Sequence, residues 1–99
     1  MHKFIIERDT PGVGQLTPEE LKNASQLSCK VLRALGPDIE WVHSYVTANK
    51  LYCLYRAPSE DLIRQYAANA GFPASSVSNV STTITPATAA EPTGARPTS

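Results

Sequence analysis

Apolar and polar positions divide the chain into segments of different period. His2–Arg8 carries Phe4, Ile5 and Ile6 and then breaks at Asp9-Thr10-Pro11-Gly12, with Gly14 close behind. This predicts a first strand that runs into a Gly-Pro loop, with Glu7 at the strand's end. From Thr17 the period lengthens. Leu21, Ala24, Ser28, Val31, Leu32 and Leu35 recur at three- and four-residue intervals and form one stripe of a helix. Thr17 is its N-cap, Pro18 its first helical residue and Glu20 the partner that closes a capping box; Gly36-Pro37 supplies the stop.

Ile39–Thr47 and Lys50–Ala57 are β-branched and aromatic runs on either side of Ala48-Asn49, and together they predict a hairpin. A second helix starts at Pro58-Ser59-Glu60-Asp61, with Ser59 capping and two acids at its positive end. Ile63, Tyr66, Ala67 and Ala70 form its inner face, and Gly71 with Pro73 ends it. Val80, Thr82 and Ile84 alternate within a last strand of about Val77 to Thr85.

The element order βαββαβ predicts an α+β, ferredoxin-like domain over residues 1–86, a four-stranded antiparallel sheet with both helices on one face. After Pro86 the composition turns to Ala, Thr, Pro, Gly and Ser with no large aliphatic residue. Residues 87–99 are therefore expected to be a disordered tail. The strands are apolar or aromatic at both parities, so the sheet face away from the helices would be an exposed apolar patch in a monomer. Such a patch usually marks an interface. A two-fold homodimer with facing sheets is expected, a dimeric α+β barrel with a cleft lined by the hairpin.

Nine basic residues balance nine acidic ones in a chain of 99, with no basic block, which argues against nucleic acid or an anionic membrane as partner. The N-terminus lacks the apolar core of a secretory signal, and a soluble, cytoplasmic protein is expected. Cys29 and Cys53 lack paired spacing, so neither a disulfide framework nor a zinc knuckle is indicated. Cys29 borders the helical stripe as a small hydrophobe.

The chemistry-bearing residues concentrate in the hairpin. His43 leads, because imidazole is both a common metal ligand and a proton carrier near neutral pH. Strand parity puts Trp41, His43 and Tyr45 on one face. A two-residue turn would add Tyr52 to that face, and a three-residue turn would add Cys53 and Tyr55. Glu7 could supply an oxygen ligand or a base from the neighbouring strand. Each residue also has a plain structural reading: His43 as a hydrogen-bonded sheet residue, Cys53 as a packed thiol, Glu7 as the ion-pair partner of Arg8 or a neighbouring basic residue, and the tyrosines as interface filling. No carboxylate pair, nucleophile elbow or triad spacing stands out.

Phe4-Ile5-Ile6-Glu7-Arg8 with Pro11-Gly12, Leu16-Thr17-Pro18-Glu19, Trp41-Val42-His43-Ser44-Tyr45-Val46, Tyr52-Cys53, Ala57-Pro58 and Ala70-Gly71-Phe72-Pro73 together resemble the small nickel-responsive, ferredoxin-like proteins over about residues 3 to 88. The resemblance implies a dimeric α+β barrel and, in at least one branch, nickel binding. Carried over position by position, His43, Glu7, Cys53 and Tyr45 match residues that recur in the family pattern and make up the expected metal set; His2 could add a donor from the strand start, and Trp41, Tyr52, Tyr55 and Tyr66 are expected at the cleft. Members often carry His where this chain has Tyr66, which replaces a nitrogen donor with a phenol. The resulting expectation is a homodimeric metal-binding protein for nickel or a similar divalent ion. The alternative is a small dimeric α+β barrel enzyme of cyclase, isomerase or oxygenase type, in which a cleft His43/Tyr45 pair acts on an apolar substrate.

Overall fold

The structure is a computed structural model that describes residues 1–71 and 76–90. Phe72, Pro73 and the tail from residue 91 lie outside the described residues. Strands β1 (His2–Asp9), β2 (Glu40–Val46), β3 (Lys50–Ala57) and β4 (Ser76–Asn79) form one antiparallel sheet in the order β2-β3-β1-β4. Helices α1 (Pro18–Leu35) and α2 (Glu60–Ala70) join the strands, which gives the expected ferredoxin-like βαββαβ fold.

Local signals set the helix ends. The Glu20 N–H donates to Thr17 Oγ1 at 3.2 Å while the Thr17 N–H donates to Glu20 Oε1 at 3.0 Å, a closed capping box with Pro18 at the first helical position. The bond from the Thr17 N–H favours the charged carboxylate and, with the Thr17 side chain, holds the Glu20 carboxyl below its ordinary range. Ser59 Oγ accepts from the Leu62 N–H and caps α2, with Glu60 and Asp61 in the first turn. Gly71 closes α2 at φ 73°, a left-handed conformation that favours glycine.

One core joins both helices to one face of the sheet. Phe4 and Ile6 from β1, Cys53, Tyr55 and Ala57 from β3, Leu32 from α1 and Ile63 and Tyr66 from α2 are all buried in it. Arg8 is also buried, 3% exposed, because it shares the parity of Phe4 and Ile6.

The expected last strand proves shorter, Ser76–Asn79 rather than Val77–Thr85. Phe4 faces Asn79 in the antiparallel register and the Val80 N–H donates to the Lys3 carbonyl at 2.9 Å, so the chain passes the beginning of β1 within two more residues. Alternation at Thr82 and Ile84 then has no ladder to join. Within the segment expected to be disordered, residues 87–90 instead belong to a 3₁₀ helix, Pro86–Ala90.

The hairpin closes through a two-residue turn, with the Thr47 N–H donating to the Lys50 carbonyl at 2.9 Å. The loop after β1 folds onto this turn. The Thr10 N–H donates to the Asn49 carbonyl at 2.9 Å, the Gly14 N–H to the Ala48 carbonyl at 3.1 Å and the Gly12 N–H to Asn49 Oδ1 at 3.0 Å. Gly14 sits so close that a Cβ there would lie 2.8 Å from both Ala48 Cα and the Thr47 carbonyl oxygen. Backbone atoms cannot rotate aside as a side-chain tip can. Gly14→Ala should therefore cost about 1–3 kcal/mol, the usual range for overpacking, read as a lower urea midpoint; an unchanged midpoint would mean that this loop does not need its seat on the hairpin.

Candidate functional site

Residues paired across antiparallel strands share a face, so the register sorts every candidate. Phe4 pairs with Tyr55, Ile6 with Cys53 and Arg8 with Leu51, and these lie on the helix side. Ile5 pairs with Leu54 and Glu7 with Tyr52, and these lie on the side that no helix covers. Tyr45 pairs with Tyr52, as the two-residue turn requires, and His43 with Leu54. The helix-free face thus carries Glu7, Tyr52 and Tyr45 in one cross-strand row and Ile5, Leu54 and His43 in the next.

The register slips once, between Trp41 and His43, where Val42 is the additional residue of a β-bulge. Trp41 then pairs with Tyr55 on the helix side. Its indole Nε1–H donates to Ser44 Oγ at 2.9 Å, and Ser44, opposite Cys53, shares that side. Strand parity alone put Trp41 with His43 and Tyr45, and the bulge separates them.

The metal set inferred from the resemblance does not converge within one subunit. Cys53 is buried, 2% exposed, on the side opposite His43. Glu7 and His43 share a face, but β3 lies between their strands, roughly 10 Å at the usual strand spacing. Glu7 Oε1 lies 3.8 Å from Lys50 Nζ, which also meets Asp9 Oδ1 at 3.6 Å; Glu7 therefore takes the plain reading of an ion-pair partner, through Lys50 and not Arg8. His43 and Tyr45 are neighbours, with ring centroids 5.0 Å apart in an edge arrangement, and both are exposed. His2 is exposed at the start of β1, opposite Ala57. Among the described residues no group of three or more His, Cys, Asp or Glu side chains could hold a metal ion. The described side chains of one subunit do not by themselves fit a nickel ion.

The expected cleft also divides. Tyr52 is half-buried on the helix-free face, whereas Trp41 and Tyr55 line a cavity of about 280 Å³ between α1 and the sheet. Leu21, Ala24 and Ser28 form its α1 wall, and Arg8 and Leu51 lie on its sheet wall. His43 is not among its lining residues, so a His/Tyr acid–base pair does not face this cavity.

Tyr66 is fully buried beside it, which excludes this position from any site built on His43 within the same subunit. Arg8 Nη2 donates to the Tyr55 hydroxyl at 3.0 Å, and that hydroxyl donates to the Tyr66 hydroxyl at 3.2 Å. The guanidinium carbon sits 6.0 Å and 5.8 Å from the two ring centroids, at the edge of cation–π range. Burial opposes the Arg8 charge, yet Tyr55, Cys53 and Tyr66 around it outweigh that effect and hold the guanidinium above its ordinary value. Burial pushes the Tyr55 phenol far up; the Arg8 charge acts in the opposite sense, and the bond to Tyr66 adds to the rise. Tyr55 thus remains a neutral phenol. Sequence reasoning missed Arg8 as a site residue, although its two-residue spacing from Phe4 and Ile6 was a visible signal.

The direction of the Tyr55 shift fixes a pH dependence. An unfolded tyrosine ionises near pH 10, whereas native Tyr55 keeps its proton, so the native state binds more protons above that pH. The stabilisation is fully present below pH of about 10 and should be lost at up to about 1.4 kcal/mol per pH unit above it. Urea midpoints between pH 9 and 11, compared for the wild type and Tyr55→Phe, check this: the variant should be less stable at neutral pH by about 1–3 kcal/mol and should show a shallower alkaline decline. Parallel declines would assign the pH effect to other groups.

No protein with a curated description matches the chain. A solved structure does: the crystal structure of SCO4226 from Streptomyces coelicolor A3(2) superposes with a TM-score of 0.69 at 19% identity, covering 83% of this chain and 99% of that one. That likeness concerns the fold. The sequence profile of the family described as "Nickel responsive protein SCO4226-like" matches residues 4–80, most of the chain, which takes in β1 from Phe4 and the whole of α1, β2, β3, α2 and β4. The chain belongs to the SCO4226-like family of nickel responsive proteins.

Proposed function

We propose that this protein is a cytoplasmic, nickel-responsive homodimer that binds nickel or a similar divalent ion between the helix-free faces of two copies, with His43 as the principal donor. One observation carries the reading: His43 stands exposed on the sheet face that no helix covers, beside Tyr45. The family's description supports the choice of nickel. Because one copy brings no three donors together among its described residues, a site on this face has to draw on both copies. A two-fold contact presents each donor twice, so two imidazoles with phenol or carboxylate oxygens from Tyr45 and Glu7 form a mixed nitrogen and oxygen set, which suits nickel, copper or zinc.

The face has the composition of an interface. Ile5, Leu54 and Tyr52 are half-buried at its centre, Tyr45 is 64% exposed, and Lys3, Glu40, Arg56 and Lys50 lie around them. An apolar centre within a polar rim is the usual anatomy of a protein–protein contact. Cys29 and Cys53 are free thiols, in keeping with a reducing compartment. No helix among the described residues is long and apolar enough to cross a membrane.

Calorimetric titration of the metal-free protein with nickel tests the reading. The wild type should bind saturably with half an ion per chain, and His43→Ala should weaken binding by at least about tenfold with little change in the urea midpoint, since its side chain is exposed. Leu54→Glu, which puts a charge at the centre of the face, should give monomers in light scattering and abolish binding. Nickel bound by that monomer as tightly as by the wild type would refute a shared site, and saturable binding unchanged in His43→Ala would refute the role of His43.

A further inference from the structure

The cavity behind the sheet lies on the side opposite His43, and its origin lies in the sequence of α1. The second half of that helix packs with large side chains: Leu32 is buried in the core, and Val31 and Leu35 pack against it. The first half turns Ala24, Ser25 and Ser28 towards the sheet. These small groups leave the helix standing off from Trp41 and Leu51, and the space between them is about 280 Å³. Protein interiors close nearly all voids larger than a water molecule, so room on this scale is unusual in a core. Ala24 and Val46 are exposed members of its lining, which places its mouth between α1 and the end of β2.

The polar groups along the wall are engaged with one another. The Trp41 indole N–H donates to Ser44 Oγ at 2.9 Å, and Ser25 Oγ donates to the Leu21 carbonyl at 2.8 Å. The Tyr55 hydroxyl accepts from Arg8 and donates to Tyr66. Arg8 has interactions of its own beyond Tyr55, so its guanidinium is not held in reserve for an anion. Among the described residues that line the space, none is Asp, Glu, Lys or His. What it presents is mostly hydrocarbon, from Leu21, Leu51 and the Trp41 ring. A buried water needs two to four polar partners, and a wall whose polar groups are already paired suits an apolar occupant better.

Volume sets the size of that occupant. An apolar cavity of about 150 Å³ takes benzene. By that measure this one, at about 280 Å³, suits two fused rings of about nine or ten heavy atoms. The Trp41 ring offers a flat partner for edge or offset stacking.

We infer that the cavity between α1 and the sheet is a binding site for a small, neutral aromatic molecule of two fused rings, held by apolar contact with Leu21, Leu51 and Trp41 and without an ion pair. The site lies within one subunit and does not depend on the metal reading.

Trp41 is the chain's one tryptophan, so its indole N–H gives a single resonance that reports on the cavity. The experiment is a magnetic-resonance titration of the isotope-labelled full chain, in the presence of a metal chelator, with unlabelled indole and with purine, which has the same shape but more ring nitrogens. Indole should shift the Trp41 resonance saturably and bind at least about tenfold more tightly than purine, whose nitrogens would give up water without gaining partners. Ser28→Leu fills the cavity from α1 and should weaken indole at least about tenfold while the circular dichroism stays native. Ala24→Leu, at the exposed mouth, should weaken it in the same direction and decides the matter if Ser28→Leu does not fold. Absence of saturation at millimolar indole, purine bound as tightly as indole, or indole binding unchanged in a folded Ser28→Leu or Ala24→Leu variant would each overturn the assignment.

Discussion

The two-residue period of a four-stranded sheet assigns the strand side chains outside the bulge to one of two environments. On one side Phe4, Ile6, Cys53 and Tyr55 meet the helices and lose contact with water. On the other, Ile5, Glu7, Tyr52, Leu54, His43 and Tyr45 remain at least partly accessible. A backbone sheet is too thick for donors on opposite faces to meet at one atom. Any chemistry this chain performs therefore has to be built from one face, from the other, or from two copies, and never from a mixture of both faces in one subunit.

Charge follows the same division, with one exception. Lys50, Glu7, Asp9, Arg56 and Glu40 form exposed ion pairs, which in high dielectric contribute little individually. Arg8 is the buried cation, placed among phenols and a thiol. Desolvating a guanidinium is costly unless hydrogen bonds and polarisable neighbours compensate. Here the Tyr55 hydroxyl and the two rings supply part of that compensation, and they fix the guanidinium's orientation in doing so.

The parts of the fold that were legible in the sequence are those specified locally. Thr17, Pro18 and Glu20 define a helix start within four residues, and Ser59 with two acids does the same for α2. The length of β4 was not legible, because a strand ends where its partner ends, and the alternation at Thr82 and Ile84 carries no record of where β1 begins. Among the candidate residues, the shared face of His43 and Tyr45 was legible from strand parity, whereas the faces of Tyr52, Cys53 and Tyr55 depended on the turn. The two-residue turn decided them for β3. The bulge at Val42 decided the face of Trp41, and Trp-Val-His-Ser-Tyr contains no glycine to mark a bulge in advance. Arg8 was visible by parity but, as a cation next to a Gly-Pro loop, read as the end of a strand.

The bulge has another consequence, which concerns neighbours in solution. β2 is an edge of the sheet, its outer backbone groups available to any passing extended chain. A regular edge strand is a template on which further strands can stack without limit. The extra residue at Val42 interrupts the spacing of those outer N–H and C=O groups midway along β2, so an incoming strand can keep register on one half of the edge but not on both. The same irregularity that sends Trp41 inward thus protects the edge against fibril-type growth.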